Sequence, residues 1–219
     1  MLFNTWIFGG FLLVVLGLYW ILRVPKFQNP LLLAASLFFY GFGGVKFLAL
    51  ILLCSITSYS AGLLINKYPV HSRKFLVFTA VVTLGTLFVF KYFNFFMDTL
   101  TTRLGWLGIE LDSVTVRLVL PIGISFFTFQ ALGYVVDVHR GSVPVEKNPI
   151  VFFLFVTFFP QLVAGPIERA NHLLPQIRKR RYLTGDDLLS GTFLILQGLV
   201  KKIVIADNIK PIVDIMFEQ

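Results

Sequence analysis

Glu168 and Arg169 stand side by side, just behind Gly165-Pro166, in the stretch QLVAGPIERANHLLPQIRKRR (Gln161–Arg181). The planar guanidinium of Arg169 suits bidentate contact with a phosphate or a carboxylate. It can equally pair with Glu168 or another nearby carboxylate, and the residues alone leave both readings open. Gln130 and Lys201 are two further polar groups set in apolar surroundings. The rest of the chain offers little conventional chemistry. His71, His139 and His172 fall in loops without metal-ligand spacing, and no Ser-His-Asp pattern, P-loop or dinucleotide glycine motif is visible. The lone cysteine, Cys54, sits in an apolar run and supports neither a disulfide nor a thiolate site. No metal and no bound cofactor are expected.

The elements that position these residues are set by solvent. The 219 residues are 57% hydrophobic and only 14% charged, with a mean hydropathy of +0.82. That is too little charge to coat a soluble domain. Uncharged runs long enough to cross about 30 Å of hydrocarbon recur at Met1–Leu22, Phe27–Val45, Phe47–Ile65, Leu118–Val136 and Asn148–Ile167. Phe75–Phe90 is nearly as long and continues past Lys91. The reading is an all-α polytopic membrane protein in the lipid bilayer, with about five transmembrane helices, a re-entrant or kinked segment and an amphipathic helix. The first run lacks a basic leader and small residues at a cleavage point, so it is expected to stay as a helix. The net charge of +8 lies in short loops, which is membrane topology rather than a nucleic-acid surface.

Arg23 and Lys26 follow the first run, and Lys67, Arg73 and Lys74 follow the third. Between Asp98 and Arg117 there is no positive excess: Asp98, Glu110 and Asp112 stand against Arg103 and Arg117. These positions predict an N-terminus outside and the basic loops, including Arg140 and Lys147, in the cytoplasm. If Asn148–Ile167 crossed fully, Arg178–Arg181 would lie outside, against that rule. Pro160 and Gly165-Pro166 break a helix, so a segment that dips in and returns is favoured over a kinked span. Such backbone is tolerated at membrane depth only beside protein or a water-filled cavity.

Two helical faces carry polar groups. Gly123, Gln130, Tyr134 and Asp137 share one face, where Gly123 would admit a neighbouring backbone and Gln130 either bonds across the interface or faces a cavity. Asp187, Ser190, Gln197, Lys201 and Asn208 form a narrow stripe on a later helix. Its uncharged core, Leu188–Val200, is about 20 Å long and short for a span. These features fit a transporter or an intramembrane enzyme, and physics alone does not choose.

Three blocks narrow the choice. LPIGISFFTFQALGYVVDVHRG (Leu120–Gly141), FFPQLVAGPIERANHLLPQI (Phe158–Ile177) and GLVKKIVIADNI (Gly198–Ile209), with VFKYFNFF (Val89–Phe96), together resemble the membrane-bound O-acyltransferase family. The likeness is strongest to its alginate O-acetyltransferase subfamily, although His139 stands where an aromatic is expected. The resemblance implies a ring of helices around a central tunnel. An acyl group would pass from a cytoplasmic thioester, acetyl-CoA or another acyl thioester, to hydroxyls of an exported polysaccharide or cell-wall polymer on the far side. It also implies the bacterial inner membrane and periplasmic acetyltransferase partner proteins. On this basis Gln130, Pro160, Gly165, Pro166, Glu168, Arg169 and Lys201 are assigned to the tunnel or its donor side.

The family's catalytic histidine lies beyond the last block, so none of the three histidines here inherits that role. Residues 1–219 are expected to be the N-terminal part of one acyltransferase domain, without its catalytic half and inactive alone. A transporter or flippase, or a non-catalytic scaffold for a periplasmic acetylation complex, is the alternative. No inverted repeat supports the transporter.

Overall fold

A computed structural model describes residues 3, 5–106, 119–162 and 165–217. Glu110, Asp112 and Arg117 of the loop without positive excess lie outside the described residues. So do Met1, Leu2, Asn4, Leu118, Val163 and Ala164 of the predicted spans. The chain forms two compact units, Met1–Val24 with Arg180–Gln219, and Pro25–Lys179.

Regular structure among the described residues is helical throughout. In the smaller unit, α1 (Trp6–Ile21) opens on Thr5, whose hydroxyl oxygen accepts from the Phe8 amide at 3.3 Å. The larger unit holds α2 (Pro25–Gly41), α3 (Val45–Lys67), α4 (Ser72–Trp106), α5 (Ile124–His139), α6 (Pro149–Thr157), α7 (Phe159–Leu162) and α8 (Ala170–Arg178). The smaller unit resumes with α9 (Gly185–Leu199) and α10 (Asp207–Phe217), joined by a π-helical turn over Val200–Ala206. Three helical runs, Val45–Lys67, Pro69–Thr101 and Gly185–Phe217, are long and apolar enough to cross a membrane. With the composition, this is an all-α membrane protein.

Two elements differ from the predicted spans. α5 starts only at Ile124, because Pro121 and Gly123 (φ 78°) make a turn first. Gly123 therefore serves the turn. The last run is longer than its uncharged core suggested, since the helix continues through Lys201 and Lys202 to Phe217. Asp187, at the start of the polar stripe, is engaged with the N-cap residue Thr184. Its backbone amide donates to the Thr184 hydroxyl while its carboxylate accepts from the Thr184 amide, a reciprocal capping box.

α3 is the centre of the larger unit and packs against α2, α4, α5 and α6. The reason is a stripe of small residues, Cys54, Ser55, Ser58, Ala61 and Gly62, all buried. In a membrane such a stripe lets helix backbones approach and gain dispersion contact. Cys54 is part of this packed face. The buried hydroxyls of Ser55 and Thr83 donate to carbonyls one turn back, at 2.7 and 2.8 Å, so they add no unmet polar cost in a bundle without water.

The helix breaks just ahead of Pro160. α6 begins at Pro149 behind an Asn148 cap and stops at Thr157, and Phe158 (φ −53°, ψ 107°) leaves the helical conformation. Pro160 lacks an N–H, and its ring would meet the carbonyl of Val156 in a continuing helix. An unbroken helix would also pair the Phe159 amide with the Phe155 carbonyl. Instead the Phe159 amide donates to the Ser36 hydroxyl at 3.2 Å. The Gln130 side-chain amide donates to the Phe155 carbonyl at 2.7 Å. After the break the chain passes Gly165, at φ 142°, and turns into α8.

α8 then packs on α6. Arg178, at its end, donates through Nε to the Glu146 carboxylate at 2.7 Å, just before α6 starts. The Asn29 amide of α2 caps the neighbouring Ile177 carbonyl at 3.0 Å. The segment from Glu146 to Arg178 therefore leaves and returns to one end of the bundle. Pro149–Leu162 would measure about 20 Å at 1.5 Å per residue, shorter than the hydrocarbon core.

Candidate functional site

The polar face of α5 and the start of α8 together line a cleft of about 490 Å³. From α5 come Gln130, Tyr134 and Asp137, at the spacing read from the sequence, and from its C-cap comes Arg140. From the other side come Ile167, Glu168, Arg169 and Ala170. α5 also packs against α3 and α4, with Tyr134 buried where α5 meets Gly62 of α3. Glu168 and Arg169 reach the cleft because the Gly165-Pro166 turn redirects the chain there.

The charges sort themselves in an unexpected way. Glu168 does not pair with Arg169. Its Oε2 lies 2.8 Å from Nδ1 of His172, one turn along. The other His172 ring nitrogen lies 3.2 Å from Nε2 of Gln176. Arg169 instead faces Asp137, with Nη1 3.9 Å from Oδ1. That separation exceeds the 2.7–2.9 Å of a charge-assisted hydrogen bond. The Arg169 side chain is 75% exposed and that of Asp137 only 13%. The guanidinium is thus oriented by an anion but keeps donors available.

Of the residues assigned to the tunnel or donor side, the cleft gathers Gln130, Glu168 and Arg169. Pro160, Gly165 and Pro166 shape the chain that leads to it and do not line it. Lys201 lies in the π-helical turn of the smaller unit and is exposed. Nearby, Lys202 pairs with Asp207, and the Asn208 side chain donates to the Val204 carbonyl at 2.8 Å within the turn.

Gln130 lines the cleft and is also buried, with its amide on the Phe155 carbonyl. Gln161 reaches the same carbonyl only at 3.4 Å. Gln130→Leu is expected to cost about 1–3 kcal/mol, the penalty for leaving a buried acceptor unmet. A drop in thermal midpoint in detergent, with membrane insertion unchanged, is the readout. A midpoint equal to the parent's would mean that the Phe155 carbonyl finds another donor.

Two groups escaped the sequence reading. Glu146 is 3% exposed, and its Oε1 accepts from the Asn148 amide at 2.8 Å. The Glu146 amide donates to the Tyr134 hydroxyl at 2.9 Å. Ser36 was the other. The only signal for Glu146 was a carboxylate placed just ahead of an Asn-Pro helix start.

The chain was compared with known proteins. It is 39% identical to a probable alginate O-acetylase AlgI of Azotobacter vinelandii, over 94% of this chain and 42% of that protein. The Pseudomonas aeruginosa protein of the same name is 40% identical, over 94% and 40%. These matches run through the α5, Gly165-Pro166 and π-turn blocks alike. The likeness to membrane-bound O-acyltransferases carried by the motifs is what these relatives support. The chain is also 33% identical to a peptidoglycan O-acetyltransferase of Helicobacter pylori, over its whole length and 47% of that protein. It thus spans less than half the length of these curated relatives. No protein-family model and no solved structure matches it.

Proposed function

We propose that this chain forms the donor-facing part of a membrane O-acetyltransferase. The complete protein would carry an acetyl group from a cytoplasmic thioester to hydroxyls of an exported polysaccharide or cell-wall polymer. The observation that carries this reading is similarity across 94% of the chain to alginate O-acetylases. The tied segment from Glu146 to Arg178 supports it, because it supplies a polar cleft on a re-entrant element. The physical task is to bring a thioester carbonyl and a hydroxyl together away from bulk water. Residues of this chain would hold and orient the donor. The imidazole acting as general base would come from outside these residues.

The accompanying topology is an inner-membrane protein with its N-terminus outside and the cleft near the cytoplasmic face. Arg140, Lys147 and Arg178–Arg181 then lie on the positive side. Periplasmic acetyltransferase proteins would take the group onward.

Acetyl ester formed on a purified acceptor polysaccharide tests the reading. Membranes holding the complete protein, supplied with acetyl-CoA, should produce it, and membranes holding only residues 1–219 should not. Uptake of polysaccharide without new acetyl ester would favour a transporter and reject the proposal.

A further inference from the structure

We propose that the groove where α2, α6 and α8 meet binds the headgroup of an anionic phospholipid, which bridges Lys26 and Arg178 and fastens the returning segment to α2. The groove encloses about 420 Å³ and shares no lining residue with the cleft on α5. Its ligand has no part in acetyl transfer, so the site stands apart from the enzyme reading. Three helix ends build it. α2 supplies Lys26 and Asn29 from its first turns, Asn148 caps α6, and Arg178 is the last residue of α8. The Asn29 amide on the Ile177 carbonyl, at 3.0 Å, holds α8 to α2 at this point.

Charge selects an anion. Among the described residues two cations line the groove and no carboxylate does. Lys26 is exposed and pairs with no carboxylate among those residues. Arg178 gives Nε and Nη2 to the buried Glu146, at 2.7 and 2.6 Å. A guanidinium carries five N–H donors, so this pair fixes its plane and leaves donors for a second acceptor. Asn148 engages its Oδ1 with the Ile150 amide at 3.0 Å, and its side-chain nitrogen adds another donor. An ammonium, a guanidinium and an amide in one groove suit the oxygens of a phosphodiester.

The rest of the wall selects a lipid over a soluble phosphate. Pro25, Pro30, Ile150 and Val151 are apolar, and Pro30 and Ile150 are exposed. Beyond the groove both helices become wholly apolar, over residues 31–35 of α2 and 150–156 of α6. Its charged end therefore lies at headgroup level, and its walls continue into hydrocarbon. Basic pockets between membrane helices are where anionic headgroups bind. A phosphate held by Lys26 and Arg178 together would add a second tie at the end of α8, beside the pair with Glu146. The lipid would then help to close the segment that leaves and returns to this end of the bundle.

The test uses the full chain in a neutral detergent. Retention of phosphatidylglycerol against phosphatidylcholine is read by native mass spectrometry, and the thermal midpoint is followed as each lipid is added. The parent should prefer phosphatidylglycerol and gain midpoint with it. Lys26→Gln should cut the preference roughly fivefold, the weight of one lysine near an anionic lipid surface. Lys26→Arg should keep it. Lys67→Gln, an equal loss of charge outside the groove, should leave it unchanged. The paired variant Glu146→Gln with Arg178→Gln keeps the net charge and leaves no buried carboxylate, and it should still lose preference as Lys26→Gln does. A parent without preference, or a preference that Lys26→Gln and Lys67→Gln lower equally, overturns the site. Displacement of phosphatidylglycerol by inorganic phosphate would make the groove a soluble-anion site and overturn the lipid assignment.

Discussion

Arg178→Met is expected to lower stability by about 3 kcal/mol, at the lower end of the range for breaking a buried ion pair. Glu146 is the reason. Its side chain is 4% exposed, and its Oε2 lies 2.6 Å from Nη2 of Arg178 and 2.7 Å from Nε. Removing the guanidinium leaves a carboxylate with little access to water and one remaining amide, from Asn148. Arg178 itself is 44% exposed, so solvent softens the loss. The pair also ties both ends of the α6–α8 segment, so its rupture should loosen that segment selectively. Thermal midpoints and limited proteolysis near Arg178 would register the change. The double variant Glu146→Gln with Arg178→Met should recover most of it, since no buried charge is then left. A single variant as stable as the double would show that packing alone closes the segment.

Gly62→Ala is the second large effect expected, a loss of about 1–3 kcal/mol from overpacking. A Cβ at Gly62 would lie 2.8 Å from both Cε1 and the hydroxyl oxygen of Tyr134. Tyr134 has little freedom to retreat. Its ring packs edge-on against Phe152 at 4.7 Å between centroids, and its hydroxyl accepts from the Glu146 amide. The clash would therefore push α3 and α5 apart and disturb the cleft on the far side of Tyr134. Gly85 in α4 is the matched control, because nothing lies within 4 Å of a Cβ there. Gly85→Ala should be neutral or stabilising by up to about 1 kcal/mol, from helix propensity alone. Equal midpoints for the two alanine variants would refute the close contact between Gly62 and Tyr134.

The two substitutions mark where sequence reasoning succeeds and where it stops. Composition determined the solvent and hence the fold class, because so few charges can face only lipid. The breaks at Pro160 and at Gly165-Pro166 were legible because proline and glycine act locally, through a missing N–H and an unusual φ. The shared face of Gln130, Tyr134 and Asp137 was legible because helical period is a local property. Even the conflict between positive charge and a full crossing pointed to a segment that returns.

Partners were a different matter, and only the tertiary structure decided them. Gln130 finds the Phe155 carbonyl 25 residues away, Arg178 finds Glu146 at 32, and the Phe159 amide finds Ser36 at 123. Glu168 turned from its neighbour Arg169 to His172, leaving Arg169 to face Asp137 across the cleft. Periodicity says which side of a helix a group occupies, but not which other helix comes to that side. That choice belongs to packing, here to the small-residue stripe of α3 that lets α5 approach until Gly62 meets the Tyr134 ring.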